Sequence, residues 1–347
     1  MTLEERKDAF VNLGNFLTDF GNGTFSEKNK KFYQLLEEKT EVSIHYNGWF
    51  TKENILFSIH QWANALTLKN LEEWLSNYSI EKKAAKTIAV IMAGNIPLVG
   101  FHDFLSVLIT GNNILIKQSK NDQQLLPVLV DFLIHENQGF KESITFTKER
   151  LENFDAIIAT GSNNTARYFE YYFSKYPHII RKNRNSVAII TGNESKEELA
   201  PLGDDIFRYY GLGCRNVSKI FVPEDYQFEQ LFQAIYDWNS IVNQNKYANN
   251  YDYNKAVYLM SEFKLFDNGF LILKEDQSFS SPIATLFYEK YSNLDELNKQ
   301  LQEDAEQIQC IVSLNLNPNH IEFGKTQQPK LSDFADNVDT IQFLLNL

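Results

Sequence analysis

The chain has 347 residues, of which 43% are hydrophobic and 22% charged, so it can bury a real core and lies far from disordered composition. Lys+Arg number 33 against Asp+Glu 45, a formal charge of −12, which excludes polymeric nucleic acid and anionic lipid as partners recognised by the field of the whole molecule. A small phosphorylated ligand stays open, because a few local cations and helix N-termini hold one against the global sign. At this length one core normally splits, so two domains are expected.

The cysteines, Cys214 and Cys310, stand far apart in unlike contexts, against a disulfide framework or a cysteine-based zinc site. The first residues, Met1-Thr-Leu-Glu-Glu-Arg-Lys, are charged and lack the apolar centre of a secretory signal. The longest apolar region, Thr87 to Ile116, is broken by Asn95, Pro97, His102, Asp103 and Asn112, so no membrane span is expected. A cytoplasmic protein is the expectation.

The first 80 residues show helical spacing with frequent charge, as in Lys31 to Lys39 and Asn70 to Tyr78, and predict a helical N-terminal segment. From Thr87 the texture changes. Apolar runs at Thr87 to Met92, Ile114 to Ile116, Ile144 to Phe146, Asp155 to Ala159 and Val187 to Thr191 predict strands. The spacers Phe101 to Thr110, Gln123 to His135 and Thr165 to Tyr176 are long enough for crossover helices, which implies a parallel sheet covered by helices. A second α/β unit follows, with a helix Lys196 to Tyr210, a loop holding Cys214 and a strand Lys219 to Val222. Further strands are expected at Phe270 to Lys274, Ala284 to Tyr288 and Ile308 to Leu314, with helices around Phe228 to Trp238 and Leu294 to Glu306. The polar run Asn243 to Asn254 reads as a loop. The expected division is 1–185 for the N-terminal helices and nucleotide-binding domain, 186–320 for a catalytic thiol domain and 321–347 for a C-terminal tail.

Four segments at predicted strand or helix ends carry candidate chemistry. Cys214 lies in Gly211-Leu-Gly-Cys-Arg-Asn; glycines before a thiol allow a sharp turn that leaves sulfur approachable, and Arg215 would favour a thiolate. The competing reading is a cysteine that merely packs, and it is the preferred one for Cys310 inside its apolar run. Asn95 in Ala93-Gly-Asn-Ile-Pro97 follows a strand end, where α/β sheets place their ligands, and its amide suits a developing oxyanion; alternatively Asn95 and Pro97 simply make a turn. Thr160-Gly-Ser-Asn-Asn-Thr165 opens a helix after a strand, so its backbone N–H groups suit a phosphate, or Ser162 is an ordinary N-cap. In Lys117-Gln-Ser-Lys120 two lysines at a strand end suit ribose hydroxyls and a phosphate, or are solvated surface.

With these segments in this order, the sequence resembles the aldehyde dehydrogenase superfamily from about Thr87 to Leu314. Within it, the chain is similar to the acyl-CoA reductases related to the fatty acid reductase of bacterial bioluminescence. The tail Phe323-Gly-Lys-Thr-Gln-Gln-Pro-Lys-Leu-Ser-Asp-Phe-Ala-Asp also looks like that subgroup. The resemblance implies an aldehyde dehydrogenase-like fold of two α/β domains, each with a mostly parallel sheet. It implies Cys214 as nucleophile, Asn95 as the oxyanion-hole side chain, Lys117 as the adenosine-ribose contact and Gly161-Ser162 as the turn at the cofactor pyrophosphate. A homodimer is the expected oligomer, although the usual oligomerisation hairpin is not found.

Departures from the pattern sharpen the expectation. Where hydrolytic relatives carry a water-activating Glu in Glu-Leu-Gly-Gly-Lys, this chain has Arg181-Lys-Asn-Arg-Asn-Ser, with no carboxylate. That suits an acyl-cysteine formed with loss of coenzyme A rather than hydrolysed by water. The second family Glu, on the nicotinamide ribose, falls at Ser278. Lys120 replaces the Glu that rejects a 2′-phosphate, so NADPH is expected, with NADH as the alternative cofactor. The expected reaction is reduction of an acyl-CoA to the aldehyde through an acyl-cysteine at Cys214, with an acyl-donating protein partner left open. The alternatives are another activated acyl donor, or a catalytically silent binding protein of the same fold.

Overall fold

The structure, a computed structural model, describes every residue except Lys82. The chain folds into two units, Met1–Lys182 with Lys330–Leu347, and Asn183–Pro329.

The first unit opens with four helices: α1 (Leu3–Gly21), α2 (Lys30–Tyr46), α3 (Lys52–Ala65) and α4 (Leu68–Leu75). Thr2, Thr51 and Thr67 begin three of them, each side-chain oxygen accepting a backbone N–H of the first turn. At Thr2 the Glu5 carboxylate answers with the reciprocal bond, a full capping box. The apolar face of α1, Phe10, Leu13, Phe16 and Leu17, is buried. These helices share one core with the sheet behind them: Phe16 stacks on Phe132 at 4.5 Å and Phe10 meets Phe104 edge-on at 6.4 Å.

That sheet holds β1 (Thr87–Ile91), β2 (Asn113–Lys117), β3 (Ile144–Phe146), β4 (Ala156–Thr160) and β5 (His178–Arg181), linked by α5 (Phe101–Ile109), α6 (Leu125–Glu136) and α7 (Asn163–Phe173). All pairings are parallel, in the order β3-β2-β1-β4-β5. The chain runs outward from β1 to β3, then crosses back to β4 on the other side of β1. The switch point therefore lies between β1 and β4. The edge strand β5 lies outside the strands expected from sequence. It carries two aliphatic residues, Ile179 and Ile180, after Pro177-His178, too short an apolar run to stand out.

The second unit contains β6 (Asn185–Ile189), α8 (Lys196–Leu199), α9 (Leu202–Phe207), β7 (Val217–Pro223), α10 (Phe228–Ala234), α11 (Asn245–Met260), β8 (Leu265–Asp267), β9 (Ile272–Glu275), β10 (Thr285–Tyr291), α12 (Leu294–Glu303) and β11 (Ile308–Val312). Its sheet runs β11-β6-β7-β10-β9-β8, parallel except for the edge strand β8. The helix expected over Lys196 to Tyr210 is interrupted at Pro201, which has no N–H to continue the ladder.

From Asn245 onward the expected loop Asn243 to Asn254 is instead the first part of α11. Gln244 caps it by accepting from the Tyr247 N–H. Its inner face is polar in composition but satisfied: Tyr247 donates to the Phe270 carbonyl at 2.9 Å, Tyr251 to Asp267 at 2.6 Å and Asn254 to the Ile283 carbonyl at 2.8 Å. Aliphatic periodicity, the usual sign of a buried helix face, is replaced by tyrosine hydroxyls and one amide.

The unit boundary falls between Lys182 and Asn183, and the stretch expected as a tail from 321 is divided. Residues 321–329 pack within the second unit, whereas 330–347 return to the first. There α13 (Thr340–Leu345) buries Ile341 and Leu344 in the core, and the Tyr78 hydroxyl donates to Asp339 at 2.7 Å. No helix among the described residues is long and apolar enough to cross a membrane.

Candidate active site

Five of the six candidate side chains and turns lie along one edge of the first sheet. Asn95 follows β1, Lys117 ends β2, Lys120 comes just after it, and Gly161 and Ser162 follow β4. These strands are neighbours, with Ile91 opposite Lys117 on one side and opposite Ala159 on the other. The carboxyl ends at the switch point are where open α/β sheets take their ligands.

Asn95 is exposed, but the loop carrying it is bolted from below. The Asn47 amide donates to the Gly94 carbonyl at 3.2 Å, and the Ser58 hydroxyl to the Pro97 carbonyl at 2.9 Å. The Leu98 N–H donates to the Asp122 carboxylate at 3.0 Å, holding Leu98 at φ 57, a left-handed conformation that costs a branched residue about 1–2 kcal/mol. Asp122 is buried and its other oxygen has no hydrogen-bond partner. Desolvation pushes its carboxyl up to about 7, against the opposing effect of the Leu98 N–H. Pro97 thus makes the turn, while Asn95 stands at its exposed rim.

Lys117 is half-buried and its ammonium donates to the Glu149 carbonyl at 2.9 Å; Lys120 is exposed. Beside them a groove of about 430 Å³ is lined by Gln118, Gln123, Pro127, Phe146, Thr147 and Lys148. Ser162 does cap α7, its oxygen accepting from the Thr165 N–H at 3.2 Å. A Cβ at Gly161 would come within 3.0 Å of the Thr165 methyl and 3.1 Å of Phe169, so this turn admits only a residue without one at no cost. The 11-residue helix α7 thus starts at the β4 end and Lys117 lies two strands away at the β2 end, both on the carboxyl edge of the sheet.

Cys214 belongs to the second unit. It is exposed, on a loop leading into β7, and neither cysteine forms a disulfide. Tyr209, Tyr210 and Gly211 are successively left-handed, at φ 54, 60 and 74. Two tyrosines held there store backbone strain of the kind found at functional turns. The clamp is Asn216, to which the sequence alone assigns no role. Its amide donates to the Arg208 carbonyl at 2.8 Å and the Asp205 carbonyl at 3.0 Å, and its oxygen accepts from the Gly213 N–H at 2.8 Å. Ser186 donates to the Cys214 carbonyl at 3.0 Å. Arg215, expected beside the Cys214 thiol, extends an Nη1 to the buried Cys310 sulfur at 3.4 Å.

Asp205, on α9, accepts three more bonds at its fully buried carboxylate: from the Gly324 N–H at 2.6 Å, the Thr326 N–H at 3.0 Å and the Thr326 hydroxyl at 2.7 Å. Burial still raises this carboxyl, to about 6, the Thr326 hydroxyl and the two N–H groups opposing the rise. Arg181, in the segment lacking the hydrolytic carboxylate, is buried against Asp103 and donates to Thr340 at 3.1 Å. Among the described residues no group of three or more His, Cys, Asp or Glu is placed to hold a metal ion.

The family model for acyl-CoA reductases (LuxC) matches residues 16–237, well over half the chain, a span that includes both the strand-end residues and Cys214. The chain belongs to this family. A curated relative, the long-chain acyl-protein thioester reductase of Aliivibrio fischeri, is 24% identical over 227 residues, 60% of this chain and 47% of the relative. The match therefore spans about half the length of that protein. Among solved structures, aldehyde dehydrogenase 21 of Physcomitrella patens superimposes with a TM-score of 0.66 at 12% identity, covering 100% of this chain and 84% of its own. An indole-3-acetaldehyde dehydrogenase solved with NAD+ gives 0.65 at 12% identity, covering 92% and 73%. The acyl-CoA reductase family member described here thus has the aldehyde dehydrogenase fold.

Asn47, Ser58, Asp122, Asp205 and Asn216, all buried, are the supports that sequence reasoning missed. None of the five leaves a signal in the chain, because a buried Asn, Asp or Ser reads in sequence like an exposed one.

Proposed function

We propose that this protein reduces an activated long-chain acyl group to the aldehyde, with an acyl-CoA thioester as donor, through an acyl-cysteine at Cys214. The observation that carries this reading is the exposed Cys214 on a strained, clamped loop in a chain of the acyl-CoA reductase family. The Cys214 sulfur attacks the acyl carbonyl, the carbon–sulfur bond to coenzyme A breaks and its thiol leaves with a proton. Asn95 donates its amide to the oxyanion formed at that carbon. Lys117 and the Gly161–Ser162 turn hold a nicotinamide nucleotide, which when bound in its reduced form supplies the hydride that takes the acyl group to the aldehyde level. Loss of the aldehyde restores the Cys214 thiol. No carboxylate in Arg181-Lys-Asn-Arg-Asn-Ser activates water, so the acyl-cysteine is kept for reduction.

NADPH is the proposed cofactor, because Lys120 and Lys148 offer cations near the ribose lysine and no acid stands at 120 to repel a 2′-phosphate. Incubation with acyl-CoAs of graded length should consume NADPH and leave an acyl adduct on Cys214, seen by mass spectrometry. Cys214→Ser should abolish both and Cys310→Ala neither; an adduct on Cys310, or none on either, refutes the mechanism.

The name of the Aliivibrio fischeri relative favours a second reading, in which the acyl donor is a protein thioester. Under it free coenzyme A fails to compete with the donor. A catalytically silent protein would instead show slow iodoacetamide labelling of Cys214 and no nucleotide consumption.

A further inference from the structure

The Phe323-Gly-Lys-Thr turn lies more than a hundred residues beyond the thiol loop in sequence, yet both end on the same aspartate. The Asp205 carboxylate receives the Gly324 and Thr326 N–H groups and the Thr326 hydroxyl, while the Asp205 carbonyl receives the Asn216 amide, whose own oxygen holds the Gly213 N–H next to Cys214. Asp205 and Thr326 are fully buried and Asn216 is 2% exposed, so water cannot substitute for these partners. The turn itself is fixed. Gly324 sits at φ +79, where a Cβ would lie 2.7 Å from that of Pro201, and Gln327 donates to the Thr326 oxygen at 3.1 Å. The α9 segment is wedged on its other side too, since a Cβ at Gly203 would lie 2.6 Å from the Trp238 ring. Neither Tyr209 nor Tyr210 would stay left-handed without such a frame, because an untethered loop relaxes to ordinary helical or extended angles.

The geometry points to Thr326, Asp205 and Asn216 as positioning residues for the Cys214 thiol, with the Gly324–Thr326 turn acting as the latch that holds the thiol loop in its strained conformation. The use of the thiol in acyl reduction rests on the proposed function; the latch itself does not. Removal of Asp205 risks the fold, so the informative variant is Thr326→Val, which keeps shape and both backbone bonds and removes the hydroxyl, with its bond to Asp205 and its acceptance from the Gln327 amide.

In the full chain, Thr326→Val should raise hydrogen exchange of the 209–216 peptide and change the iodoacetamide rate at Cys214 by about threefold or more. It should lower kcat for acyl-CoA reduction by roughly tenfold, less than the hundredfold of a whole-ångström misplacement. KM for the nucleotide, held by the other unit, should stay within about twofold, and Thr326→Ser should restore both the labelling rate and kcat. Wild-type labelling and exchange in Thr326→Val overturn the inference, even where Tm falls, because the bond would then serve stability alone. If the wild-type protein reduces no acyl thioester, the functional reading fails, and the labelling and exchange arms still decide the latch.

Discussion

Gly94 and Ser119 are packed so closely that a Cβ at position 94 would lie 2.6 Å from both the Ser119 Cβ and its Oγ. This contact joins the Asn95 loop to the Lys117–Lys120 segment, so the two strand-end elements are spaced by a missing methyl group. Gly94→Ala should destabilise the protein by about 1–3 kcal/mol, the usual cost of overpacking. Ser119→Gly in the same chain should recover part of that loss. Urea unfolding of the four proteins of this cycle is the measurement, and additive losses would show that the contact is not the cause.

Asn95 stands at the exposed rim of a loop in which Asn47 holds the Gly94 carbonyl, Ser58 the Pro97 carbonyl and Asp122 the Leu98 N–H. Asn95→Ala should lower kcat for acyl reduction by about two to three orders of magnitude, the loss seen for an oxyanion donor. A folded variant with unchanged kcat would return Asn95 to a turn residue.

Lys120 is exposed near the strand-end lysine, and an ionic contact to a ribose 2′-phosphate contributes about 1.5–3 kcal/mol. The ratio of kcat/KM for NADPH over NADH should accordingly favour NADPH, and Lys120→Glu should shift it toward NADH by roughly ten- to hundredfold. Equal kcat/KM for the two nucleotides, unmoved by the substitution, would remove the basis of the preference.

The strand-end residues were legible because β1, β2 and β4 are uninterrupted apolar runs, and the polar residues that close such runs stand out. The exposed loop of Cys214 was legible from the glycines before it. Its supports were not: the Asp205–Thr326 bonds join residues 121 apart, and a buried aspartate looks in sequence like an exposed one. The same blindness turned α11 into an expected loop. Tyr247, Tyr251 and Asn254 read as polar until the carbonyls and carboxylate that receive them are known.

Asp122 gives the stability of the first unit a pH dependence of unusual sign. Burial raises its carboxyl from the ordinary 3.8 to about 7, so between those values the folded chain binds more protons than the unfolded one. Stability should therefore fall as pH rises from about 4 to about 7 and level off above, opposite to a salt-bridged aspartate. Asp205, raised to about 6, adds a slope of the same sign that ends sooner. At pH 8 the buried Asp122 carboxylate is charged with one oxygen unpartnered, whereas an amide at 122 keeps an acceptor for the Leu98 N–H without the charge. Asp122→Asn should thus gain stability at pH 8, by up to a few kcal/mol at roughly 1.4 kcal/mol per pKa unit, and should show a flatter profile from pH 4 to 7. Urea midpoints measured across that range test this, and a wild-type profile that rises with pH while Asp122→Asn parallels it would mean that Asp122 is ionised in the fold.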